Sequence, residues 1–137
     1  MTERSVRFRT PPDTVEVVHS MLAQLWEDRP DVEAMDRFAF ETAVVELAGN
    51  VVQHGSSATA IVCTLGVTID EVSLRALLVD TADPPGIDSG PRQMPDVLAE
   101  SGRGLALIHA LVTTFEYERS ASRNVWSLCK DRSAAAE

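Results

Sequence analysis

Near residue 55 the hydrophobic period of this chain changes from about 3.6 to 2, and few folds accommodate that change. Before it, Phe40, Val44, Leu47 and Val51 recur four, three and four residues apart, the apolar stripe of a long helix running to about His54. After it, from Ala58 to Ile69, Ile61, Cys63, Leu65, Val67 and Ile69 alternate with smaller or polar residues, as in a strand buried on one face. Gly55-Ser56-Ser57 separates the two, and Asp70-Glu71 makes a tight connection to EVSLRALLVD, which predicts a hairpin. A long amphipathic helix feeding an antiparallel hairpin requires a helix layer packed on a sheet.

The flanking segments extend this pattern. Residues 4–9 alternate Val6 and Phe8 against Arg7 and Arg9, a half-exposed strand ended by Pro11-Pro12. Asp13 with Glu16 has capping-box spacing, and Val15, Val18, Leu22, Leu25 and Trp26 continue at helical spacing to about Asp28. Pro30 and Asp31 separate this helix from the long one. Residues 81–101 hold four prolines and two glycines with little periodicity, a long loop of the functional or mobile kind. A short helix from Gly102 to about Val112 follows, then strands around FEYER and NVWSLCK across a turn at SASR. The expected fold is an α+β two-layer sandwich whose mixed sheet is mainly antiparallel, with helices on one face. At 137 residues there is room for one domain, placed at 1–131, with a polar tail at 132–137 that is expected to fray.

Composition excludes several classes of function. The net charge is -9, from 21 acidic and 12 basic side chains, so the clustered cations of a phosphate-backbone binder are missing and no direct nucleic-acid partner is expected. No apolar run approaches membrane-spanning length and MTERSVRFRT has no signal-peptide core, which sets the expectations of no membrane and a cytoplasmic location. Cys63 and Cys129 have no metal-ligand spacing and are expected to be inert core thiols. Trp26 and Trp126 are expected to pack rather than clamp a ligand. Arg4, Arg7 and Arg9 form a small basic patch, either a solvated strand face or a dimer or partner contact.

Three constellations carry candidate chemistry. Glu46, Asn50 and His54 stand four apart and form one row along the long helix, at the margin of its apolar stripe. A carboxylate and an amide one turn apart suit a divalent cation and a hydroxyl to be deprotonated; a solvated polar flank is the plainer alternative. Gly49 between them hints at a close approach, since mid-helix glycine is unfavourable by about 1 kcal/mol relative to alanine. Asp80 ends an apolar strand, where it either accepts from a ligand amino group or serves as a turn residue. Gly102-Arg103-Gly104 opens a helix directly after the long loop, where free amides and the helix dipole attract phosphate and Arg103 adds a cation.

Taken in order, ELAGNVVQHG, the strand ending in Asp80, the Pro/Gly loop and SGRGLALI resemble the N, G1 and G2 boxes of the GHKL, or histidine-kinase-like, ATPases. Within these the chain is most similar to the short anti-sigma-factor serine kinases, over nearly its whole length. The resemblance implies a Bergerat-type fold, with ATP and Mg²⁺ as cofactors. It implies Glu46 as the base and Asn50 as the Mg²⁺ ligand, with His54 near the phosphates. Asp80 would accept from the adenine amino group, residues 81–101 would be the ATP lid, and Gly102, Arg103, Gly104 and Leu105 would line the nucleotide. Ala82 stands where the family has the glycine of Asp-x-Gly, and Asn124 where it usually has Thr beside the adenine pocket. The implied activity is phosphorylation of a serine on an antagonist protein, with sequestration of a sigma factor or similar regulator and a homodimeric assembly. A non-catalytic binding module with a degenerate nucleotide site is the alternative, motivated by Ala82.

Overall fold

The period-two stretches form the strands where alternation places them. In a computed structural model, residues 1–54, 60–84 and 102–133 are described, His54 and residues 102–104 by backbone alone. The break at residues 55–57 and most of the expected lid, residues 85–101, lie outside the described residues. The elements are β1 (Thr2–Thr10), α1 (Glu16–Asp28), α2 (Ala34–His54), β2 (Ile61–Ile69), β3 (Ser73–Asp80), α3 (Gly102–Leu111), β4 (Thr114–Ser120) and β5 (Arg123–Asp131).

The five strands form one sheet in the order β1-β2-β3-β5-β4, and all four pairings are antiparallel. The sandwich is therefore α+β as expected, and the parallel pairing that a mixed sheet would include does not occur among the described strands. One face carries the helices. Ile61, Cys63, Leu65, Val67 and Ile69 of β2 point into it, together with Leu74, Ala76 and Leu78 of β3, all buried. Val18, Leu22 and Leu25 from α1, Phe40, Val44 and Leu47 from α2, and Ile108 from α3 close over them. Removing each such valine, leucine, isoleucine or phenylalanine side chain from water stabilises the fold by about 1.5–3 kcal/mol. The thiol of Cys63 lies in this layer, and burial, with the charge of Asp80, pushes its pKa up to about 12. It is a free thiol buried in the core as expected, whereas Cys129 is only partly buried.

Three local expectations are corrected. Asp13 does not cap α1: its Oδ2 accepts the Arg9 amide at 3.0 Å, closing the turn after β1, while the Thr14 hydroxyl accepts the Glu16 amide at 3.2 Å. The start of the tail does not fray. The Arg132 amide donates to the Val72 carbonyl at 2.8 Å, and the Ser133 amide and hydroxyl reach Asp36 at 2.7 and 2.9 Å. The basic patch is divided by the pleat: Arg4 turns to the helix side and donates to Asp28 Oδ2 at 2.7 Å, whereas Arg7 and Arg9 stand exposed on the opposite face. The β4–β5 turn also departs from composition rules. Its central residues, Ala121 (φ 52°) and Ser122 (φ 65°), are both left-handed without a glycine.

Candidate functional site

The packing of α2 sets the first half of the site. Because Phe40, Val44, Leu47 and Val51 face the core, Glu46 and Asn50 fall on its margin, half-buried. Glu46 Oε1 and Asn50 Nδ2 are fully shielded from solvent and, among the described residues, have no hydrogen-bond partner. A buried polar atom without a partner is unfavourable by roughly 1–3 kcal/mol, so two of them one helical turn apart suggest an external group that satisfies both. A half-turn of the Asn50 amide presents its oxygen at the same place, the kind of donor a hard divalent cation takes. At Gly49 a Cβ would meet no atom within 4 Å. The close approach expected there is therefore not made by the described residues. His54 is the last residue of α2; its side chain lies outside the described residues. Glu46 also lines an open groove of about 480 Å³ shared with His19, Phe38, Val45 and Leu107.

The second half is built where β3 ends. Asp80 is 1% exposed and is held by three donors of its own chain. Oδ1 accepts the Ala82 amide at 2.9 Å and Asn124 Nδ2 at 2.8 Å, and Oδ2 accepts the indole N–H of Trp126 at 2.9 Å. The bond to Ala82 is a turn closed by the side chain of Asp80, so Asp80 is a turn residue as well as a buried acceptor. Asn124 pairs directly with Asp80 across the β3–β5 ladder. Its Nδ2 also reaches the carbonyls of Ala82 and Asp83, both at 3.2 Å, and its Oδ1 accepts from Tyr117 Oη at 2.6 Å and Arg119 at 3.0 Å. Ala82 itself is 5% exposed, its methyl packed into the core.

Helix α3 packs against α2, and its first turn carries Gly102, Arg103 and Gly104, whose amides have no partner within the helix. Leu105, the next residue, packs partly buried against the core. The helix N-terminus and the carboxylate–amide row belong to the helix layer, and the strand-end aspartate is buried in the sheet beneath it. Comparison with known families places the chain. The profile described as Histidine kinase-like ATPase domain matches residues 8–130.

The chain belongs to the histidine kinase-like ATPase family. No curated protein matches it.

Membership implies ATP as the ligand of this ATPase domain, and its donor set fits in one half more openly than in the other. At Glu46 and Asn50 the buried polar atoms have no partner among the described residues, which leaves them available to a metal-bound phosphate group. Among the described residues no cluster of three or more His, Cys, Asp or Glu could hold a metal. A cation here would be held by Asn50 and the phosphates, which suits Mg²⁺, an ion that keeps several waters. At Asp80 a carboxylate with about four acceptor positions already receives three donors, leaving one on Oδ2 for an amino group.

Sequence reasoning missed the aromatic wall of this half. Trp126 stacks on Phe115 (centroids 6.2 Å) and tilts against Tyr117 (4.5 Å), and its indole holds Asp80. It is a packing residue, as expected, and also a partner of the aspartate. Alternation was the available signal, because Asn124 and Trp126 lie two apart on one strand and share its inner face. No helix of the described residues is long and apolar enough to cross a membrane.

Proposed function

We propose that this domain binds ATP with Mg²⁺ and transfers the γ-phosphoryl group to a serine of an antagonist protein, while sequestering a sigma factor or similar regulator in the cytoplasm. The observation that carries this is the pair of buried atoms on Glu46 and Asn50 that have no partner among the described residues. Bound Mg²⁺ would neutralise charge on the phosphates. Asn50 would hold the ion through its amide oxygen, and the free amides at Gly102 to Gly104 would fix the phosphate oxygens, with Arg103 as the nearby cation. Glu46 Oε1 would take the proton of the acceptor hydroxyl as its oxygen bonds to the γ-phosphorus and ADP departs. Asp80 and Asn124 would orient the adenine, with Ala82 and Leu105 lining it and His54 closing the phosphate end.

The test is transfer of labelled γ-phosphate from Mg-ATP to a protein that the chain is shown to bind, alongside calorimetric titration with ATP. Glu46→Gln should keep ATP affinity within about threefold and lose transfer by about a hundredfold or more. Asn50→Ala should lose the Mg²⁺-dependent part of binding. Absence of transfer to any bound partner excludes the kinase. A second reading, a protein-binding module without turnover, is favoured by Trp126 and the buried Ala82 methyl, which crowd Asp80. It predicts no ATP binding in the same titration.

A further inference from the structure

A row of side chains crossing three strands sets the surroundings of Asp80. Asn124 pairs with Asp80 across β3–β5 and with Arg119 across β4–β5, so the three stand side by side on one face of the sheet. Tyr117, two residues before Arg119 on β4, reaches the same amide from the next row. Its hydroxyl donates to Asn124 Oδ1 at 2.6 Å, and Arg119 Nη1 donates to the same oxygen at 3.0 Å. A guanidinium has donors only, so the atom that faces it is the amide oxygen and not the nitrogen. Both acceptor positions of Oδ1 are then filled. The NH2 end is turned inward, to Asp80 and the carbonyls of Ala82 and Asp83.

Arg119 also holds the backbone. Its Nη1 donates to the Ala82 carbonyl at 3.0 Å, an oxygen that Asn124 Nδ2 reaches at 3.2 Å. The Ala82 amide donates to Asp80 Oδ1 at 2.9 Å, so both polar groups of this peptide unit are tied to the row. On the other side Thr81 is strapped to β2: its amide donates to the Val62 carbonyl at 3.2 Å and its hydroxyl accepts the Val62 amide at 3.0 Å. In a chain with 21 acidic side chains, Arg119 nonetheless makes no ion pair among the described residues. Its charge is spent on two neutral oxygens, one of Asn124 and one of Ala82.

The consequence lies in which polar atoms remain for a ligand. The Asn124 NH2, the Ala82 amide and the Trp126 indole all donate to atoms of their own chain, and Asn124 Oδ1 is covered. Among these groups only Asp80 Oδ2, with a single donor, keeps an acceptor position. A base placed here must bring a donor. An oxo group in the same place would face a carboxylate with no donor to offset it. That selection lasts only while Asn124 cannot turn its NH2 outward, and the two donors on Oδ1 oppose that turn.

We propose that Arg119, assisted by Tyr117, is a positioning residue of the nucleotide site: it locks the Asn124 amide and the Ala82 carbonyl so that the base end presents an acceptor and no donor. The selecting role rests on the reading of the domain as ATP-binding; the lock does not. Two measurements on the full chain test it. Without nucleotide, hydrogen exchange of the Asn124 side-chain amide, followed by NMR, should quicken by about tenfold or more in Arg119→Met, while core amides such as those of Leu65 and Leu78 keep their rates. Calorimetric titration should show ATP preferred over inosine triphosphate, which carries an oxo group where ATP carries the amino group. In Arg119→Met that preference should fall by about fivefold or more, with inosine triphosphate gaining affinity as the freed NH2 turns to it. Tyr117→Phe should shift the preference in the same direction. A merely structural role would weaken both nucleotides in proportion, and an unchanged preference would overturn the proposal. So would unchanged exchange at Asn124. A wild type that binds neither nucleotide overturns the ATP reading and the selecting role with it, and the exchange rates then decide whether the lock stands alone.

Discussion

Replacing Trp126 by phenylalanine tests the arrangement around Asp80, and its size can be worked from the structure. The indole N–H donates at 2.9 Å to a carboxylate that is 1% exposed, and no other donor contacts that oxygen among the described residues. Losing a hydrogen bond to a buried charged group removes about 1.5–3 kcal/mol, and the smaller ring adds a void, for a total near 3 kcal/mol. With unfolding entropy of about 2.1 cal/mol/K per residue, the whole chain changes by roughly 0.29 kcal/mol per degree, so the melting temperature should fall by about 10 °C. Trp26→Phe is the control. Trp26 is as buried as Trp126, both 8% exposed, and its indole also donates at 2.9 Å, but to Glu41, whose side chain is 36% exposed. Water can replace that donor, so the loss should be about 1 kcal/mol or less, roughly 3 °C. Calorimetric melting measures both, and titration with ATP adds a second readout. Freed of the indole, Asp80 Oδ2 offers two acceptor positions, and ATP affinity should rise about threefold to tenfold. Equal melting shifts in the two variants would refute the special weight given to the Asp80–Trp126 bond. Unchanged ATP affinity would refute competition between the indole and the adenine.

Two further outcomes are expected. Ser122→Gly should stabilise the protein by about 1 kcal/mol, because Ser122 is held at φ 65° where glycine has no steric cost; a melting temperature that does not rise by a few degrees contradicts this. For Asp36, burial works to raise its pKa, but the Ser133 amide and hydroxyl and the Lys130 ammonium outweigh it and hold the carboxyl below its ordinary 3.8. A depressed pKa contributes stability that is present above pH 3.8 and lost as the pH falls through the lower, folded value. Asp36→Asn should therefore lower stability at pH 7 by about 2 kcal/mol and flatten the decline below pH 4, as read from urea melts between pH 7 and pH 3; an unchanged acid slope would contradict it.

Local periodicity made most of the fold legible. The inward set of β2 is fixed by one rule of alternation, and the margin position of Glu46 and Asn50 follows from the spacing of Phe40, Val44, Leu47 and Val51. What stayed hidden depends on partners distant in the chain. Ser133 is tied to Asp36 across 97 residues, so no reading of the tail alone could show that its start is anchored. Trp126 meets Asp80 across 46 residues through the β3–β5 register, which is set on the far side of a long loop. Asp13 had two competing acceptor roles, and the turn after β1 placed the Arg9 amide nearer than the helix start. The left-handed pair at Ala121 and Ser122 escaped because neither residue advertises that conformation.

The distribution of positive charge bears on how an acidic chain can serve a phosphate ligand. Of the described cations, Arg4, Arg29, Arg75, Lys130 and Arg132 are engaged in ion pairs with Asp28, Asp31, Asp70, Asp36 and Asp31 respectively. Arg119 donates to the Ala82 carbonyl and to Asn124. Arg7 and Arg9 stand on the sheet face turned away from the helices, the side opposite Glu46 and Asn50. Most of the described basic side chains therefore tie elements together or face outward, while Arg37 stands on α2 itself. A phosphate group there would depend on local neutralisation by the amides of the first turn of α3, a nearby cation such as Arg103 and a metal at Asn50. A site of this kind gains little from long-range steering, because the net charge of -9 repels an anionic ligand at a distance. Capture would then rest on short-range contacts made after entry, which places the burden of affinity on Asn50, Asp80 and the amides rather than on the surface field.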